Sequence, residues 1–138
     1  TAVQTCALPI SATNAADFAA VVRAFFERAT SDASRVMRFT RAEIIGSSRT
    51  RPQLADSLRA VQEGLVESLT EVLARAQERG FMSTDFRPRD VVEFSLVLHI
   101  GSILPDLLAG DGETSTSLSR VLAEIIDRVF VSQPASAS

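Results

Sequence analysis

Residues Pro52–Gly80 read PQLADSLRAVQEGLVESLTEVLARAQERG, and their apolar positions recur every three or four residues, which indicates one stripe along a helix. The stripe consists of Leu54, Leu58, Val61, Leu65, Leu69, Val72 and Ala76. Pro52 suits the first helical turn. Gly80 suits a left-handed C-terminal cap, after which Phe81 folds back. Such a helix is about 40 Å long, so we predict that it is the central helix of the fold.

Two further helices are predicted before this one. The first runs from about Ala15 to Ala29, with Asn14 as its N-cap. The second follows Ser31 and Asp32 and continues to about Ile45. We predict that its inward face consists of Val36, Met37, Thr40, Ile44 and Ile45. Arg35, Arg38 and Arg41 recur on every third residue of the same helix. Arg38 and Arg41 are either part of a solvated face or contacts to an anionic ligand.

Two more helices are predicted after the central one. The first, Val91–Leu108, is apolar nearly all round, and Pro105 should bend or end it near its last turn. The last helix has a broad apolar face and runs to about Phe130. No stretch alternates apolar and polar residues for long enough to predict a strand. We therefore predict an all-α five-helix bundle over residues 12–132, followed by a disordered tail at 133–138.

The first eleven residues have no helical period. Their run Val3–Ile10, VQTCALPI, resembles the conceptual translation of a DNA-sequencing adapter. We therefore expect that residues 1–11 are a non-native or disordered segment, that the native N-terminus is missing, and that Cys6 is not native.

Composition excludes several classes of function. The 138 residues carry a formal charge of −3, whereas binding to duplex DNA needs a basic face. No apolar run approaches the ~20 residues of a membrane span, and a single cysteine fits a reducing compartment such as the cytoplasm. His99 is the only histidine, and nucleophile–base pairs and metal clusters need several such groups. We predict no catalytic residues, no metal and no cofactor, and therefore no enzyme.

The last two predicted helices carry more apolar surface than the central helix can cover. An apolar surface of that size marks an interface with a partner, and two such helices can meet their symmetry mates in a four-helix bundle. We therefore predict a homodimer. The predicted interface residues are Ile103, Leu107, Leu118, Leu122, Ile125 and Val129.

The order and spacing of these segments resemble a known family. The run Arg41–Glu43, the long helix that ends AQERGF, the following DFRP and the apolar Val91–Leu108 helix with Gly101 are together similar to the C-terminal half of TetR-family transcriptional regulators. The similarity spans about residues 15–131. It implies a homodimer that holds a small hydrophobic effector, in a regulator expected to act as a repressor. In that family an N-terminal helix-turn-helix reads DNA, so we expect DNA binding only through such a segment.

The resemblance implies that apolar residues of several helices line the effector site and that a polar residue anchors the ligand. The candidate ligand-binding residues are Phe25, Phe26, Met37, Arg41, Leu65, Leu69, Phe94 and His99. Aromatic and Met residues at helical spacing are more often core, and the alternative function is a helical dimerisation module without a ligand.

A polar stripe crosses the apolar fourth helix. It consists of Ser95, His99, Ser102 and Asp106, which lie four, three and four residues apart. His99 either hydrogen-bonds a ligand or its symmetry mate, with a charge that can change near neutral pH, or it is an interior histidine satisfied by a backbone carbonyl or a serine.

Overall fold

The computed structural model describes residues 12–108 and 116–130 of the chain. All regular secondary structure in these residues is helical, which confirms the all-α class. The helices are α1 (Ala15–Thr30), α2 (Arg35–Ser48), α3 (Pro52–Glu78), α4 (Pro88–Gly101), α5 (Ile103–Leu108) and α6 (Thr116–Phe130), and a 3-10 turn, Asp32–Ser34, precedes α2. The predicted non-native or disordered N-terminal segment at 1–11 and the predicted disordered tail at 133–138 lie outside the described residues.

The caps of the first and third helices form as the sequence predicts. Asn14 accepts a hydrogen bond from the Asp17 backbone N–H at 2.9 Å, which satisfies one of the free donors at the start of α1. After α3, Gly80 has φ 71°. There the Phe81 N–H donates to the Ala76 carbonyl at 2.8 Å. This bond satisfies a carbonyl at the end of the helix, and it requires the left-handed residue that glycine provides.

The predicted fourth helix is broken in two. α4 ends at Gly101 and α5 begins at Ile103, with Ser102 between them. Pro105 explains the position of the break, because it has no N–H to donate to the Gly101 carbonyl four residues earlier, and its ring would clash with that carbonyl. The disruption expected from Pro105 therefore lies one turn before the proline.

The hydrophobic core joins α1, the C-terminal half of α3, the start of α4 and the end of α6. Its buried side chains are Ala12, Phe18, Val22, Phe26, Val66, Leu73, Ala76, Met82, Val91, Val92, Ile126 and Phe130. The rings of Phe26 and Phe130 meet edge to face with their centroids 5.7 Å apart. Beside them, Arg23 forms an ion pair with Asp127 at 2.7 Å. These two contacts hold α6 against α1.

The predicted stripe of α3 is only partly correct. Val66 and Leu73, which lie beside the predicted stripe, are fully buried, whereas Val61 is 72% exposed. The difference arises because α3 packs against more than one neighbour. It meets α2 and α4, and its C-terminal half also enters the core. No helix in the described part of the chain is long and apolar enough to cross a membrane.

Candidate functional site

The orientation of α2 differs from the prediction. Val36 and Met37 are 77% and 61% exposed, and Arg38 is only 1% exposed. The predicted inward face of Val36, Met37, Thr40, Ile44 and Ile45 is therefore wrong, since all five residues are exposed. Of the arginine row, Arg38 is buried and faces α5 and the end of α1, whereas Arg35 is half-buried and Arg41 is exposed.

Arg38 is held in the interior by four hydrogen bonds. Its Nε and Nη2 donate to Oδ2 of Asp106 at 2.8 Å and 2.6 Å. Its Nη1 donates to the backbone carbonyls of Ala29 and Ser31 at 2.8 Å and 2.9 Å. The Ala29 carbonyl is in the last turn of α1, where carbonyls have no partner within the helix. One buried guanidinium group therefore joins α1, α2 and α5.

Asp106 is the buried counter-charge of this site. It is 7% exposed, and its carboxylate accepts from Arg38. Its backbone carbonyl accepts a hydrogen bond from Nη2 of Arg35 at 2.9 Å. A buried charge is tolerated when it is paired and hydrogen-bonded, so Arg38 explains why an aspartate lies within an apolar helix.

A second polar contact lies further along α2. Nη1 of Arg41 is 2.9 Å from Nε2 of His99 on α4. A guanidinium group can only donate hydrogen bonds, so Nε2 accepts, and the ring is neutral with its proton on Nδ1. That Nδ1 is buried and has no hydrogen-bond partner among the described residues.

The surroundings of His99 favour this neutral form. Burial lowers the pKa of His99 below its usual value, and the positive charges of Arg41 and Arg38 lower it further. The two serines of the polar stripe satisfy themselves locally. Ser95 donates to the Val91 carbonyl and Ser102 donates to the His99 carbonyl, both at 2.7 Å.

We call the contacts of Arg35, Arg38 and Arg41 with His99 and Asp106 the polar junction. Sequence reasoning identified both of its halves, the arginine row and the polar stripe, but did not pair them. It also missed that Arg38 is buried. One sequence feature could have predicted this pairing: one helix carries three cations, and another carries an aspartate and a histidine.

Of the other candidate ligand-binding residues, Met37 lies one turn before Arg41 on α2 and is 61% exposed. Phe26 is in the core, and Leu69 packs against the core while Leu65 is half-buried. The rings of Phe25 and Phe26 meet edge to face with their centroids 5.6 Å apart, and Phe25 is 45% exposed. Phe94 is 41% exposed on α4. Among the eight candidates, Arg41 contacts His99 and Phe25 contacts Phe26.

The candidate dimer residues differ in exposure. Leu107 is 62% exposed. The other four that are described, Ile103, Leu122, Ile125 and Val129, are half-buried. Leu122 and Val129 pack against the core. The side chain of Leu118 lies outside the described part of the structure.

Within residues 12–108 and 116–130, no group of three or more His, Cys, Asp and Glu side chains is arranged to hold a metal ion. Comparison with known proteins found no family model, no curated protein and no solved structure that matches the chain.

Proposed function

We propose that this chain is the regulatory domain of a TetR-like transcriptional regulator, which acts as a repressor. In this proposal the domain homodimerises through α4, α5 and α6 and binds a small hydrophobic effector. The observation that supports it best is an exposed apolar surface along α4 and α5. This surface, which we call the apolar stripe, consists of Phe94, Val97, Ile100, Leu104 and Leu107, whose exposed fractions are 41%, 67%, 45%, 63% and 62%.

The apolar stripe has the properties of a surface that meets its own copy. The ionisable residues between Phe94 and Leu107 are His99 and Asp106, and both contact α2. The stripe is therefore without charge, and two copies related by a two-fold axis would not repel each other. Large exposed apolar patches are uncommon on monomers, and obligate dimers commonly bury ~2,000 Å² or more in total.

The end of α6 adds apolar surface to this proposed interface. Val121 is 52% exposed, and Ile125 is half-buried. On the other side of the helix, Ile126 and Phe130 are in the core. α6 thus has one apolar face for its own domain and apolar residues left for a partner.

The proposed mechanism is a switch between two arrangements of the dimer. An effector that contacts the helices more favourably in one arrangement shifts the equilibrium toward it, by no more than its difference in affinity. The polar junction offers the anchor, because it links α2 to the helices that carry the apolar stripe. A helix-turn-helix segment, which the family resemblance implies, would read the DNA.

Two measurements on the full chain test this proposal. Sedimentation equilibrium at micromolar concentration should give the mass of a dimer. A thermal-shift screen of apolar and amphipathic compounds, at fixed protein concentration, should find compounds that raise the melting temperature, because a ligand that binds only the folded state stabilises it by mass action.

The outcomes separate the alternatives. A monomer at these concentrations would contradict the proposed dimer. A dimer that no compound stabilises would contradict the effector and would instead support the helical dimerisation module without a ligand.

A further inference from the structure

The three arginines in the row on α2 do not all have a carboxylate partner. Arg35, Arg38 and Arg41 carry three positive charges. Of these three arginines, only Arg38 forms an ion pair with a carboxylate of a described residue, that of Asp106. Arg35 contacts a backbone carbonyl, and Arg41 contacts a neutral imidazole. The guanidinium group of Arg41 thus has no carboxylate partner among the described residues, although the chain as a whole has a net charge of −3.

The contact with His99 orients the guanidinium group of Arg41. One N–H of Nη1 is used by Nε2 of His99 at 2.9 Å. The edge formed by Nε and Nη2 makes no hydrogen bond with any described residue. Two parallel N–H groups of this kind match the two oxygens of a carboxylate. Because one end of the fork is already held, less side-chain freedom is lost when an anion binds.

Arg41 also lies between exposed apolar side chains. Met37 and Ile45 are one turn before and one turn after it on α2, and they are 61% and 45% exposed. A cation with apolar surface on both sides suits a ligand that has an anionic head and an apolar body.

We propose that Arg41 binds the carboxylate of an amphipathic anion whose apolar body covers Met37 and Ile45, and that His99 is a positioning residue for Arg41. This inference rests on the proposed function, because it names the chemical class of the effector. Binding of the anion is thereby linked to the proposed dimer interface, because the contact between Arg41 and His99 joins α2 to the helix that carries the apolar stripe.

Three probes with the same ten-carbon body, decanoate, decanol and decylamine, and a fourth without that body, acetate, test the proposal on the full chain. Each is used below its solubility limit, and decanoate and decylamine are also used below the concentration at which they form micelles. Isothermal titration calorimetry at pH 7.5 measures their affinities. We expect decanoate to bind about tenfold more tightly than decanol, as a charge-assisted hydrogen-bonded pair allows. Decylamine should bind more weakly than decanol, and acetate should give no detectable heat because it has no apolar body.

Variants separate the roles of the two residues. Arg41→Met should abolish the preference for decanoate over decanol, and Arg41→Lys should restore only part of it, because an ammonium group lacks the planar fork. His99→Phe removes the acceptor for Arg41 and should reduce the preference for decanoate over decanol. Arg49→Met is the matched control, since Arg49 is an exposed arginine just after α2. Circular dichroism checks that each variant remains helical.

Three results would overturn the carboxylate assignment: equal affinities for decanoate and decanol, no binding of decanoate, or the same loss in Arg49→Met as in Arg41→Met. Equal affinities would leave the proposed hydrophobic effector intact, whereas a monomer in sedimentation would contradict the proposed dimer whatever the probes do. The two proposals therefore fail separately.

Discussion

Arg38 is the side chain on which the packing of the helices depends most directly. It is the largest of the fully buried side chains, and it satisfies a carboxylate and two backbone carbonyls that come from three separate segments. A buried ion pair often adds little stability compared with an apolar pair, but the loss of one partner leaves an uncompensated charge in the interior.

The first prediction concerns this ion pair. Arg38→Met should lower the free energy of unfolding by about 3–5 kcal/mol, because Asp106 would remain buried without a partner. Urea denaturation measures the change. The matched control is Arg59→Met, which breaks an ion pair with Asp56 in which both side chains are 71% exposed, and exposed pairs contribute only about 0–1 kcal/mol. Equal effects of the two substitutions would show that Arg38 is not essential to packing.

The second prediction concerns pH. The pKa of His99 is lowered in the folded protein, first by burial and then by Arg41 and Arg38. The unfolded chain, with an ordinary value of 6.5, therefore binds a proton at a higher pH than the folded chain does. The contribution of His99 to the free energy of unfolding is therefore fully present above pH 6.5. It is lost as the pH falls from 6.5 through the pKa of His99 in the folded protein.

This pH dependence is measured as the urea midpoint between pH 7.5 and 5. His99→Gln keeps a side chain that can accept from Arg41 but cannot titrate, so its midpoint should fall less over this range than that of the wild type. Identical pH profiles for both proteins would show that His99 does not contribute.

At the scale of the helix, α2 explains why amphipathic periodicity is not sufficient. Its pattern separates an apolar side from an arginine side, and the buried residue of the helix, Arg38, is on the arginine side. Two features of the neighbouring helices account for this: the carbonyls at the end of α1 need donors, and Asp106 needs a cation. Neither feature belongs to α2, so the period of the helix identifies its two faces but not which of them faces inward.

The third prediction tests the end of α3. Gly80 has φ +71°, and an added Cβ would meet no atom within 4 Å. The cost of Gly80→Ala is therefore conformational, and we expect a loss of about 1–2 kcal/mol. The control is Gly64→Ala inside α3, where the added Cβ also meets nothing within 4 Å. That variant should gain about 0.5–1 kcal/mol, because alanine is the better helix former.

Urea denaturation at fixed protein concentration compares the two glycine variants. Opposite signs would agree with the left-handed cap. A Gly80→Ala variant as stable as the wild type would show that the cap does not control where α3 ends.

At the scale of the whole molecule, the core and the apolar stripe occupy different parts of the fold. The core joins α1, α3, the start of α4 and α6. The apolar stripe lies further along α4 and on α5, where the side chains stay exposed. α4 thus begins within its own domain and ends in the surface that we propose for dimerisation.

The fourth prediction tests that surface. Leu104→Glu should convert the proposed dimer to a monomer, because the interface would bury an unpaired charge. The matched control is Val61→Glu on α3, since Val61 and Leu104 are 72% and 63% exposed. Sedimentation velocity at micromolar concentration distinguishes the species, and circular dichroism checks the fold. A Leu104→Glu protein that sediments like the Val61→Glu control would place any dimer interface elsewhere.

The sequence by itself determined the helical class, the starts of α1 and α3, the end of α3 and the disruption near Pro105. These features depend on caps, glycine and proline, and on periodicity, all of which act over a few neighbouring residues. Tertiary structure alone decided which face of α2 is buried and which residues form the polar junction. Arg38 and Asp106 are 68 residues apart, and Arg41 and His99 are 58 apart. Such pairs form only when the packing of other helices brings them together, because the free energy of a buried charge depends on its neighbours in space and not on those in the chain.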